Sequence, residues 1–376
     1  MRNTILLFAF ILLSFSASAG DVFTPGELWL DSDGAIINAH GGGLLYYNNT
    51  YYWYGEHKGD RQSPILVGVY SSKDLYTWKN EGAALSMVET DPDHVIARGC
   101  NVERPKVIYN EKIKKFVMYF HLELKGQGYN AARVGIATSD KATGPYIFVK
   151  SYRPNAGYWP IDMTEEERTS TVKVTDFKDW WTVAWRKATL EGLFNRRDHE
   201  GGQMSRDQTV YVDDDGKAYH IFASEENLTL NLAELTDDYL SHTGKYIRIA
   251  PGGHNEAPSI FKKDGLYFMV TSGCTGWDPN EGRLFYSNSI WGPWQQQPNP
   301  FVGNDEKLSF HSQATYILQV AGKKDAFIYI GDRWIPRNQL DSRYIWLPIQ
   351  YERGLPVIKW IDKWDLSFFD DSDNQK

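Results

Sequence analysis

Apolar and polar positions alternate along this chain in short runs, and the runs recur. Five segments share one order: a polar cluster, an apolar strand, a tight turn and a second, aromatic strand. They read NAHGGGLLYYNNTYYWYGE from Asn38, NVERPKVIYNEKIKKFVMYF from Asn101, SRDQTVYVDDDGKAYHIFAS from Ser205, NEAPSIFKKDGLYFMVTS from Asn255 and HSQATYILQVAGKKDAFIYIG from His311. Short apolar runs bounded by Gly, Asn and Asp predict strands and hairpins. Asn48-Asn49, Asp214-Asp215-Gly216, Lys263-Asp264-Gly265 and Ala321-Gly322 supply residues that tolerate the backbone of tight hairpin turns. A second half-unit follows most copies, as in YSSKDLYTWKNEG and YSNSIWGPWQQQ. Each unit therefore predicts about four short strands, and radial repetition of such units gives an all-β fold, a five-bladed β-propeller. Helical spacing is nearly absent. The exceptions lie near Glu165 to Arg168 and Leu190 to Arg197, inside a stretch at about 151–202 that breaks the rhythm. It reads as an insertion between the second and third blades, either a cleft wall or a surface decoration.

Register can be set on the apolar pair of each inner strand: Leu44-Leu45, Val107-Ile108, Val210-Tyr211, Ile260-Phe261 and Tyr316-Ile317. Three positions before each pair stand Gly41, Arg104, Asp207, Ala257 and Gln313. One position earlier stand His40, Glu103, Arg206, Glu256 and Ser312. In a propeller these columns crowd one mouth of the central channel. Glu103, Asp207, Glu256 and Gln313 thus converge from distant parts of the sequence. Carboxylates at a concave mouth suit glycoside hydrolysis, which needs an acid for the leaving oxygen and help for a water on the opposite face.

Bulk properties narrow the partners. The net charge of −8 opposes nucleic-acid binding, which needs a basic field. Aromatics make up 15% of the chain, with 14 Trp and 23 Tyr. They fit an aromatic core, a sugar-lined cleft, or both. Arg2, the apolar run Ile5 to Leu13 and Ala17-Ser18-Ala19 read as a secretory signal peptide over 1–19, cut near Ala19. Residues 20–376 then form one propeller domain, exported to the periplasm or medium, with no membrane span and no partner beyond a saccharide: a monomer. Cys100 and Cys274 are the only cysteines, and their pairing is open. No metal-ligand spacing appears, and the aspartates at 213–215 read as turn chemistry. No cofactor is implied; a structural calcium in the channel is not indicated.

SRDQTVYVDDDGKAYHIF and NEAPSIFKKDGLYFMVTSG resemble glycoside hydrolase family 43, whose members are five-bladed propellers. NAHGGGLLYYNNTYYWYGEHK, CTGWDPN and GDRWIPRNQLDSRYIWLPIQY resemble its exo-β-1,3-galactanase branch, subfamily 24. The resemblance implies an inverting, exo-acting hydrolase that releases galactose from β-1,3-galactan, the main chain of arabinogalactan. It implies Glu256 as acid and Asp207 as the group that tunes and orients it. The family's first-blade aspartate base falls at Gly41. For the branch, Gln313 takes over the water, through an imidic tautomer relay or by simple positioning. Glu103 matches an acidic residue that binds the terminal galactose. Glu56, His40, Tyr129, Thr275 and Trp277 are candidate sugar contacts, while Trp334 and Arg343 fit either the rim or last-blade packing. An α-L-arabinofuranosidase or β-galactofuranosidase, or a carbohydrate-binding propeller without catalysis, are the alternatives.

Overall fold

The computed structural model describes residues 21–60 and 62–371. The signal peptide expected over 1–19 lies outside the described residues. Each repeat folds into an antiparallel sheet whose strands follow sequence order. Blade 1 holds β1 (His40–Tyr47), β2 (Thr50–Glu56), β3 (Ile65–Ser72) and β4 (Lys79–Ser86). Blade 2 holds β5 (Asn101–Asn110), β6 (Lys115–Glu123), β7 (Arg133–Ser139) and β8 (Ile147–Tyr152). Blade 3 holds β9 (Gln208–Val212), β10 (Ala218–Ser224), β11 (Thr229–Leu235) and β12 (His242–Ile249). Blade 4 holds β13 (Glu256–Lys263), β14 (Leu266–Ser272), β15 (Arg283–Ser287) and β16 (Gln295–Gln297). A short β17 (Phe301–Val302) then runs parallel to the outermost strand of blade 5. That blade holds β18 (Gln313–Gln319), β19 (Phe327–Arg333), β20 (Arg343–Glu352) and β21 (Leu355–Lys359). The first strands of successive blades touch in the order β1, β5, β9, β13, β18 and back to β1. That ring is the five-bladed propeller the repeats predict.

Every blade is one continuous run of chain, so among the described residues no strand is exchanged to close the ring. Aromatic packing closes the seam between blades 1 and 5. Phe23, Trp53, Trp78, Trp346 and Trp364 are buried in one cluster, with Trp29 against it. Phe23 and Trp364 also exchange two backbone hydrogen bonds, at 2.7 and 3.1 Å. Each such ring contributes on the order of 2–3 kcal/mol by burial. Much of the tryptophan content therefore serves the core.

The inner strands enter the channel through β-bulges. Register shifts fall between His40 and Gly43, Glu103 and Lys106, and Glu256 and Ser259. Gly41, Arg104 and Ala257, which share one repeat position, have φ of +61, +53 and +52°. A bulge re-aims the side chains around it. Only glycine takes such a φ freely; for Arg104 and Ala257 it costs about 1–2 kcal/mol. The Lys106 ammonium, wholly buried, donates to Gly41 O at 3.0 Å and lies 3.5 Å from Arg104 O. It ties two bulges together.

The insertion follows β8. It carries α1 (Glu165–Thr169), α2 (Val183–Leu190) and α3 (Leu193–Arg197). Thr164 and Glu167 form a capping box on α1, and Thr182 caps α2, satisfying amides that a helix start leaves open. Trp185, Leu193 and Phe194 pack on Leu228 of blade 3. Among the described residues no helix is long and apolar enough to cross a membrane. Cys100 and Cys274 are free thiols.

Candidate active site

One mouth of the channel opens into a cavity of about 340 Å³. Glu56, Glu103, Tyr129, Asp207, Glu256, Trp277 and Gln313, all singled out from sequence, line it, as does Trp334. The chain also places Arg104, His121, Arg206, Asn227 and Cys274 there. The bulges bring Glu103 and Glu256 in from blades 2 and 4, and Gln313 opens β18 in blade 5.

Glu256 is the unusual acid. Burial first, and then the negative charge of Asp207, push its pKa up to about 7. Its Oε1 accepts from Asn227 Nδ2 at 2.6 Å and from the Cys274 thiol at 3.3 Å. Two donors on one oxygen leave Oε2 as the atom that carries the acidic proton. Burial first, and then Glu256, push the Cys274 thiol up to about 11, so it stays protonated and donates. Asn227 stands on the β10–β11 turn, where Glu225, Glu226 and Asn227 have φ of +51, +59 and +63°. Ion pairs hold that turn: Arg248 to Glu225 at 2.7 Å, and Arg197 and Arg206 to Glu226 at 2.8 and 3.2 Å. Arg197 belongs to the insertion, which therefore braces the acid's neighbour from behind. The insertion contributes no lining residue to this cavity.

Across the cavity the chemistry is inverted. Gly41 has no side chain, and a Cβ there would collide with the Glu56 carboxylate. Glu56 fills the space instead. Its Oε1 accepts from the Arg104 backbone N–H at 2.9 Å, and its Oε2 pairs with Lys58 at 2.6 Å. Arg104 Nη2 bridges Asp207 Oδ2 at 2.8 Å and Gln313 Oε1 at 2.5 Å. Trp334 Nε1 donates to the same Gln313 oxygen at 3.1 Å. Guanidinium and indole N–H groups only donate, so the amide oxygen of Gln313 must face them. Gln313 Nε2 donates to Ser272 Oγ at 3.1 Å. Its second hydrogen is left for the cavity.

Glu103 is held by Asn101 and Tyr129, both at 2.6 Å, and by His121 Nδ1 at 3.0 Å. Burial opposes protonation of His121, but Glu103 and Glu123, one on each ring nitrogen, outweigh it and raise its pKa to about 9. Burial likewise opposes ionisation of Glu103, and His121, Lys58 and Tyr129 overcome it, holding its carboxyl well below the usual range. Glu103, His121 and Asp207 bring ligand-type atoms within 4.8 Å of one another. Each of the three already has partners: Glu103 and Glu123 flank His121, and Arg104 pairs with Asp207.

Two expected sugar contacts, His40 and Thr275, do not line this cavity. His40 is fully buried under the site, bonded to Asp332 at 3.1 Å and stacked on Tyr344 at 4.7 Å. The Thr275 hydroxyl is spent inside its own loop, donating to Asp278 O at 2.6 Å and accepting from Asn280 at 2.7 Å. The partners of both residues lie in segments that repeat register does not reach. Of the two residues left between rim and packing, Trp334 lines the cavity, while Arg343 lies outside it and pairs with Asp341 at 2.6 Å. Arg104 is a member of the register columns, but register alone gives its charge no partner. Asn227 had no signal, because no glycine marks its left-handed turn.

A carboxyl with its pKa raised to about 7, facing an amide among carboxylates at a propeller mouth, fits the glycoside-hydrolysing class. The family model described as glycosyl hydrolases family 43 matches residues 158–351, more than half of the chain, and the chain belongs to that family. A solved family 43 β-1,3-galactosidase carrying galactodeoxynojirimycin is 54% identical, with a TM-score of 0.88, over 92% of this chain and 100% of the other. The exo-β-1,3-galactanase of Phanerochaete chrysosporium, solved with β-1,3-galactotriose as a variant with one glutamate replaced by glutamine, is 30% identical. Its TM-score is 0.73 over 92% of this chain and 68% of that one. A curated β-D-galactofuranosidase of Aspergillus niger is 31% identical over 162 residues, 42% of this chain. The chain spans about half the length of that relative, 46%.

Proposed function

We propose that the protein is an exported, inverting exo-glycosidase that releases galactose from the ends of β-1,3-galactan chains. The observation that carries the reading is Glu256, buried beside Asp207 with its pKa raised to about 7. The 54% identity to a β-1,3-galactosidase supports the sugar and the linkage. In this mechanism the terminal galactose occupies the cavity. Glu256 passes its proton to the glycosidic oxygen as the bond to the anomeric carbon breaks. Glu56, Glu103 and Asp207 surround the positive charge that develops on the ring. A water attacks the opposite face, held by the free N–H of Gln313, and its surplus proton is released into this carboxylate-lined space.

The hydrogen bonds at Gln313 favour positioning over the tautomer relay. The imidic form would place a proton on Oε1, against the donors Arg104 and Trp334. The galactofuranosidase likeness motivates a second substrate class on the same scaffold. Incubation with β-1,3-galactan and with aryl furanosides, followed by product analysis, separates the two. Galactose from galactan alone is expected; hydrolysis of furanosides alone would reassign the sugar. Binding of galactan without release of galactose would reassign the chain as a carbohydrate-binding propeller.

A further inference from the structure

A second cleft, of about 710 Å³, adjoins the cavity, and Cys274 lines both. Trp181 and His254 line it, together with Thr275, Arg283, Gln296 and Gln297. Trp181 comes from the insertion. It is fixed by stacking on His254, centroids 4.9 Å apart, and by the Arg186 guanidinium 5.4 Å from its ring, yet it stays 47% exposed.

Several polar groups in this cleft have capacity to spare. Arg283 spends only Nη1 internally, on Gly253 O, His254 O and Asn255 Oδ1. Its Nε and Nη2 make no hydrogen bond among the described residues, nor does the exposed side-chain amide of Gln296. The charges of Arg283 and Glu281 offset each other. Burial first, and then Arg283, push the His254 pKa down, so its ring is neutral near pH 7. A neutral wall of amides, one guanidinium and an indole suits a hydroxyl-rich, uncharged chain.

Position says which part of that chain. The bond to be cut must lie beside Glu256, and the leaving group on the acid's side. Cys274 Sγ is 3.3 Å from Glu256 Oε1 and stands where cavity and cleft meet. We propose that this cleft is a leaving-group subsite, binding the galactosyl units beyond the scissile bond, with Trp181 of the insertion as its wall. The proposal rests on the galactan reading. It gives the insertion two tasks, bracing the Asn227 turn and selecting for chain length.

The test uses the full chain as a Glu256→Gln variant, which binds without turnover. Galactose, β-1,3-galactobiose and β-1,3-galactotriose are titrated by calorimetry, and again with Trp181→Ala or Gln296→Ala added. Affinity should rise from galactose to galactotriose by about tenfold, as for one or two polar contacts. Either added substitution should shrink that ratio about three- to tenfold. Gln296 is exposed, so its removal leaves the fold intact and backs up the tryptophan variant. Galactose binding with no gain from added units, or a ratio unmoved by both substitutions, overturns the subsite. Failure to bind galactose at all overturns the galactan reading and the subsite with it.

Discussion

Ala257 and Gly41 occupy the same bulge position in blades 4 and 1, with φ of +52 and +61°. Beside Ala257 stands Glu256, aimed into the cavity and protonated near neutrality. Beside Gly41 stands His40, buried and locked to Asp332. The Asp332 carboxylate also accepts the Gly41 N–H, at 2.6 Å. Two adjacent scaffold positions thus carry an acid on one side of the channel, and on the other a buried histidine and a gap. The gap is filled sideways by Glu56 from the next strand, while Gln313 lines the cavity from blade 5. Repeat geometry fixes where a side chain points; the chemistry can be supplied from another strand.

The largest expected effect falls on the acid side. In the proposed mechanism Glu256→Gln removes the proton meant for the leaving oxygen, and kcat on galactan should fall by about 10²–10⁴ with binding retained. Near-normal turnover would dissolve the contrast between the two sides. On the water side, Gln313→Ala should cost about 10²–10³ in kcat, the usual effect of losing one preorganised donor. Gln313→Glu sharpens the point: it lacks the N–H that holds the water, so it should be no faster than the alanine variant. A glutamate variant as fast as wild type would mean that this position accepts a proton. Gly41→Asp restores the family carboxylate in sequence but not in space. Its side chain meets Glu56 and its backbone sits at φ +61°. Stability should fall by about 1–3 kcal/mol, read as a lower melting temperature, with no gain in rate. The smallest effect is Cys274→Ala. Losing a donor to the charged form raises the Glu256 pKa further, so the alkaline limb of kcat/KM should move up by a fraction of a pH unit.

The propeller was readable because its signals are local. Hairpin residues such as Asp264-Gly265 and apolar pairs such as Ile260-Phe261 set strand and turn without outside help. The carboxylates and Gln313 followed from that register. What register could not reach were contacts between blades. His40 looked like a channel residue until Asp332 and Tyr344, nearly 300 positions away, enclosed it. Asn227 reaches Glu256 from a turn whose left-handed conformation is held by Arg248, Arg197 and Arg206 rather than by glycine. Trp181 was one tryptophan among many until the cleft gave it a neighbour.

The contrast turns on one carboxyl staying protonated because it is shielded from water and, second, because Asp207 stands beside it. The pH dependence of kcat/KM on β-1,3-galactobiose, for wild type and Asp207→Asn, tests that directly. Glu256 is the acid only while protonated, so wild-type activity should fall as pH rises through about 7. Asp207→Asn removes a charge that raises the pKa and releases Arg104 from its ion pair, so the limb should move to lower pH. A limb that stays in place would contradict the pairing of Asp207 with Glu256. Activity undiminished well above pH 7 would contradict Glu256 as the acid.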